Sequence, residues 1–279
     1  MTAYELMIKT NHHLIKGGTL TDAQKASIVR QLLAARSDKR TVYDVHKAMH
    51  QNQEPQPDEN GDYTTGGTYP AYYIQPYNQN KKYQTVIPMS PKTHILSMNA
   101  YELDILRLLH LFAPDMPDVK HMVEGTYKRL RTAACFGGDC SIGECFHSSL
   151  PTLRFANSAV PHEKEWMRRL VAKVLAGIEW QYKENAVNYF WLCLSELPFD
   201  IAEPGLMKYK NDFYEKLKKS VPMNTERAQL YQPVLYCVYR DCLAAFPEYA
   251  YIKNRQPYIN EKDGRLCFDM AKSLLLQIN

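Results

Sequence analysis

Helix-start signals recur along this chain, and they constrain its fold more tightly than any other feature. Thr2 is followed three residues later by Glu5, Thr21 by Gln24, and Ser141 by Glu144. Each pair is a capping box, in which a hydroxyl and a carboxylate or amide satisfy backbone amides that a first helical turn leaves without partners. Gly17-Gly18 supplies a stop for the first segment. Behind the starts come apolar residues at helical spacing: Leu6, Met7, Leu14 and Ile15, then Ile28, Leu32 and Leu33. Pro114, Pro117, Pro161, Pro198, Pro204, Pro222 and Pro247 fall at or near the joints, where a missing backbone donor is tolerated. A mostly α fold follows.

Three regions emerge. Residues 1–52 read as a three-helix unit, its third helix running from Thr41 to about His50. Residues 53–98 interrupt the pattern. Gln53 to Gly67 is polar, holds four acidic residues and ends in Thr-Thr-Gly-Gly, too little apolar surface to order alone. Tyr72, Tyr73 and Ile74, and then Tyr83, Thr85, Val86 and Ile87, flank Asn78-Gln79-Asn80, which predicts a small β-hairpin or loop insertion near 63–90. Residues 99–279 return to helices, expected near 99–113, 117–134, 142–158, 162–183, 186–197, 204–219, 225–246 and 262–277. Paired antiparallel, these begin near 99, 142, 186 and 225, an interval of about 40–44 residues. That spacing is similar to the HEAT and armadillo arrays, and a curved array and a closed bundle fit it alike.

The balance of 34 basic against 30 acidic residues gives a net charge of +4, with no basic concentration of the kind that marks a nucleic-acid binder. The longest apolar run, Tyr189 to Leu194, is far short of the roughly 20 residues that cross a bilayer. Glu5, Lys9, Asn11, His12 and His13 break up residues 1–16, so no signal-peptide core is present there. Seven scattered cysteines are an odd number, and Cys193, Cys237, Cys242 and Cys267 fall in helical patterns. Reduced thiols in a cytoplasm explain this usage better than a secreted disulfide framework.

The segment richest in reactive side chains is Cys135-Phe-Gly-Gly-Asp-Cys140-Ser-Ile-Gly-Glu-Cys145-Phe-His147. Its three thiols and imidazole are ligand types of a tetrahedral zinc site. The four-residue spacers are looser than a zinc knuckle and fit no familiar iron–sulfur pattern. A helix corner accounts for the same residues: Gly137-Gly138 stops one helix, Ser141 caps the next, and Cys140 and Cys145 stand where a hydrophobic staple joins. Zinc is therefore the alternative and no cofactor the expectation. A thiolate at Cys140 with His147 as base is a third reading, weakened by Asp139 and Glu144 beside the sulfur.

Other constellations are thinner. His46 and His50 lack the glutamate of a zinc protease helix. Asp118, His121 and Glu124, with Glu102 and His110, give one acid–histidine pair where a di-metal bundle needs two. Lys208, Lys210, Lys216, Lys218 and Lys219 alternate with Asp212 and Glu215 as on a solvated face. Tyrosine is unusual, with 20 residues against 9 phenylalanines. Tyr69, Tyr72, Tyr73, Tyr77 and Tyr83 cluster in the insertion, and Tyr249 and Tyr251 near Lys253 and Arg255. Tyrosine gives contact area with little entropy loss and a hydroxyl handle, which suits recognition of a protein or glycan. The expectation is a non-catalytic helical interaction module that uses the tyrosine-rich insertion and a groove between helices. Its rival is a metal- or thiol-dependent enzyme at Cys135, Cys140, Cys145 and His147.

Overall fold

The computed structural model describes residues 1–36, 85–87, 94–132, 144–181 and 184–271. Among them the chain is mostly helical, with one small antiparallel sheet. Helix α1 spans Ala3–Ile15 and α2 Asp22–Ala34. Both open on the expected capping boxes. Thr2 Oγ1 accepts from the Glu5 amide at 3.2 Å while Glu5 Oε2 accepts from the Thr2 amide at 2.9 Å. Thr21 and Gln24 repeat the arrangement at 3.3 and 2.8 Å. Gly17, at φ 81°, turns the chain out of α1 in a conformation that suits glycine.

Helices α3 (His94–Phe112), α4 (Pro117–Thr132), α5 (Glu144–Ala159), α6 (Lys164–Gln181), α7 (Glu184–Glu196), α8 (Phe199–Lys218) and α9 (Glu226–Ala244) follow. Two of them are buried on every face rather than along one stripe. All residues from Ala100 to Leu109 in α3, and from Asn188 to Leu194 in α7, are buried, as expected of helices at the centre of a core. α3 packs chiefly on α5, with α1, α2 and α4 around it; α9 packs on α7 and α8. α1 also touches α9. That contact joins segments far apart in the sequence, whereas a repeat array pairs each unit with its neighbours.

Three expectations need correction. No helix begins at 262: β1 (Val221–Pro222), β2 (Tyr258–Ile259) and β3 (Arg265–Cys267) form a sheet ordered β1-β3-β2, with Val221 opposite Leu266 and Ile259 opposite Leu266. Asp263-Gly264 turns the hairpin, with Gly264 at φ 65°, and Cys267 is therefore a strand residue. Residues 272–279 lie outside the described residues. Proline is also not confined to joints. Pro204 lies inside α8, as Pro151 does in α5 and Pro233 in α9. Val86 and Ile87 form a bend rather than a strand. The rest of the predicted insertion near 63–90 and the helix from Thr41 to His50 lie outside the described residues.

Candidate functional site

Helices buried all round carry charge only where it is neutralised by a neighbour. Arg154 of α5 is 1% exposed and sits between two carboxylates. Its Nη1 donates to Asp104 Oδ1 of α3 at 2.6 Å, and its Nε and Nη2 grip Glu196 of α7, each at 2.8 Å. Nη2 also donates to Asn11 Oδ1 of α1 at 2.9 Å. Arg107 of α3 reaches the same two partners, Glu196 at 3.2 Å and Asn11 at 3.3 Å. Two guanidiniums and two carboxylates thus join four helices with no net charge.

The two acids respond differently. Burial pushes the Asp104 carboxyl above the ordinary carboxylate range, and Arg154 and Arg107 offset this only in part. Its Oδ2 has no hydrogen-bond partner among the described residues. Burial acts on Glu196 too, but there Arg107 and Arg154 prevail and hold it below its usual value. Asp104 and Arg154 are almost wholly buried, while Glu196 reaches the edge of the cluster at 20% exposed. The cluster positions helices.

Beside it on α1, buried His12 holds the Val86 carbonyl through Nε2 at 2.7 Å. Its ring meets Tyr231 of α9 edge-on, with centroids 5.4 Å apart. Burial lowers its pKa, partly offset by the Val86 bond.

Tyr231 leads to an open pocket of about 460 Å³ lined by Asn188 of α7, the end of α8, Val221 of β1 and α9 from Arg227 to Tyr239. Buried Tyr231, Tyr236 and Tyr239 line its interior. Tyr239 Oη donates to Asn188 Oδ1 at 3.1 Å, and Tyr236 Oη donates to the Lys219 carbonyl. Burial pushes the Tyr236 phenol up to about 12 and raises that of Tyr231, so neither contributes a phenolate near neutral pH. Lys216, Lys219 and Arg227 also line the pocket, and no carboxylate does among the described residues. Thr225, at the N-cap of α9, accepts from the Ala228 amide at 3.1 Å beside these cations.

The structure places the residues expected from sequence unevenly. Cys135 and Cys140 lie outside the described residues, as do His46, His50, Tyr69, Tyr72, Tyr73, Tyr77 and Tyr83. Cys145 and His147 fall in the first turn of α5, where the backbone alone is described. Tyr249 and Tyr251 lie on a 3-10 helix (Pro247–Ile252) beyond the C-terminal end of α9, away from the pocket. Tyr249 packs 5.9 Å from the Tyr214 ring, with Lys210 also over it. Tyr251 donates to the Met270 carbonyl at 3.0 Å, and Arg255 covers its ring.

Among the described cysteines, burial pushes Cys193 and Cys242 well up and Cys237 up to about 11. These thiols donate to carbonyl oxygens, Cys193 to Leu150 and Cys242 to Trp191. Asp118, His121 and Glu124 are exposed on α4. No group of three or more metal-binding side chains converges among the described residues.

Sequence reasoning expected a groove between helices but did not name the residues that line this pocket. Lys216 and Lys219 read as part of a solvated lysine face, and nothing local announced that α9 would bring Arg227 to the same opening. In comparisons with known proteins, no family, no curated protein and no solved structure matched the chain.

Proposed function

We propose that the chain is a non-catalytic helical interaction module that takes a protein or other ligand in the pocket between α7, α8 and α9. The tyrosine-rich stretch at 63–87 is the second half of the proposed contact. The observation that carries this reading is the pocket itself. Its volume of about 460 Å³ falls within the roughly 300–1,000 Å³ common to small-ligand sites. It combines tyrosines with fixed hydrogen bonds and three cations, a set suited to holding a partner. Neither a nucleophile–base pair nor a metal set stands among its described lining residues.

A cytoplasmic setting fits the free thiols of Cys193, Cys237, Cys242 and Cys267. No helix among the described residues is long and apolar enough to cross a membrane.

Affinity capture with the wild type, Ala228→Trp and a deletion of 57–84 tests the proposal. Tryptophan at 228 fills the pocket from its half-exposed wall. A partner retained by wild type and lost by both variants supports it, whereas full capture by both variants removes its basis.

A further inference from the structure

We infer that the pocket between α7, α8 and α9 binds a small phosphate ester, its phosphate held by Lys219 and Arg227 with Lys216 beside them. This rests on the reading of the pocket as the recognition site, and names the chemistry that the site selects.

Charge comes first. Three cations line one opening and no carboxylate lines it among the described residues. Glu226 neighbours Arg227 in the chain but does not line the pocket. Lys219 and Arg227 both stand exposed at that opening. A phosphate monoester carries about −1.5 to −2 near neutral pH and presents three acceptor oxygens, matching the guanidinium fork of Arg227 and the ammonium group of Lys219. Burial keeps Tyr231 and Tyr236 protonated, so the interior adds no opposing charge. The amino end of α9 lies at the same opening and adds a favourable field for an anion.

Size comes second. A pocket of about 460 Å³ is much larger than a bare phosphate, so an organic body is required to displace its water. The Tyr236 and Tyr239 hydroxyls already donate to the Lys219 carbonyl and to Asn188, and the rings of the lining tyrosines offer contact area to an organic body.

Isothermal titration of the full chain at low salt, with phenyl phosphate, inorganic phosphate and phenol, tests both halves. Phenyl phosphate is expected to bind at least about tenfold more tightly than either fragment, a difference of about 1.4 kcal/mol. The combined Lys219→Gln and Arg227→Gln variant should weaken it by a further tenfold or more, with circular dichroism unchanged because both residues are exposed. Rising salt should weaken the wild type and spare the variant.

The inference is overturned by absence of phenyl phosphate binding at millimolar concentration, by equal binding to the double variant, or by inorganic phosphate binding equally well. A phosphotyrosyl peptide that binds tenfold more tightly than phenyl phosphate, with the same loss in the double variant, replaces the small ester with a phosphorylated protein. Loss of partner capture in Ala228→Trp without phenyl phosphate binding leaves the module reading standing and removes this one. Phenyl phosphate binding with capture intact does the reverse.

Discussion

Arg154 shows what one side chain does at the centre of this protein. Its guanidinium uses Nε, Nη1 and Nη2 on Glu196, Asp104 and Asn11. Replacing it with leucine keeps much of the volume but leaves Asp104 without its principal cation and Glu196 with Arg107 alone. Breaking a buried pair in this way costs about 3–5 kcal/mol, read as a fall in the urea midpoint at pH 7.

The deficit should shrink in acid. Asp104 is already held above its unfolded value, and without Arg154 it rises further. The native variant then binds a proton that the unfolded chain does not, so its stability grows as pH falls from 7 toward the unfolded carboxylate range. Glu196, depressed in the wild type, works in the other direction: its contribution is present above the unfolded value and is lost as pH falls through the folded one. An Arg154→Leu deficit that stays constant from pH 7 to 4.5 would falsify this account of the cluster.

His12 makes the complementary case for a base. Its folded pKa lies below the usual value, so unfolding takes up a proton and wild-type stability falls as pH drops below about 6.5. His12→Gln removes that uptake while retaining an amide donor for the Val86 carbonyl. Its urea midpoint should change less between pH 7 and 5 than that of the wild type, and parallel profiles would reject the assignment.

At the scale of elements, local chemistry was readable wherever a helix end is specified by its own residues. Thr2, Thr21 and Gly17 did in the structure what their types and spacings required. The hairpin of β2 and β3 was misread because two short strands give little periodicity, and β3 is stabilised by pairing with Val221, more than 40 residues away. The cluster and the residues lining the pocket were illegible for the same reason. Asp104, Arg154 and Glu196 are ordinary charged residues in three separate helices until packing places them together.

Gly205 is a related case, a helix-interior glycine explained only by its neighbour. A Cβ there would come within 2.8 Å of both terminal carbons of buried Leu194 on α7. Alanine gains about 1 kcal/mol in helix propensity but overpacks a filled core, at a cost of about 1–3 kcal/mol. Gly205→Ala should therefore lower stability, and the paired variant Gly205→Ala with Leu194→Ala should show favourable coupling in a double-mutant cycle. Strict additivity would mean that the two helices are not limited by this contact.

For the whole molecule, α1 joins parts of the chain that the sequence separates widely. Asn11 reaches Arg107 of α3 and Arg154 of α5, while the neighbouring His12 holds Val86 and meets Tyr231 of α9. Leu6, Met7 and Ile8 enter the same core as Leu106, Leu109 and Leu235. Withdrawing α1 uncovers apolar surface and removes the amide that both arginines share, so α1 has no inexpensive way to open alone. It follows that α1 and α9 belong to one cooperative unit, unlike the open arrays in which terminal repeats fray independently. Hydrogen exchange in the native state reads this directly. Amides of Met7, Ile8 and Asn11 should exchange with the same free energy and denaturant dependence as those of Val234 and Val238, and Asn11→Ala should lower both sets together. Exchange of the α1 amides through a smaller, denaturant-insensitive opening would show instead that the N-terminal helix is a separable cover on an independently stable body.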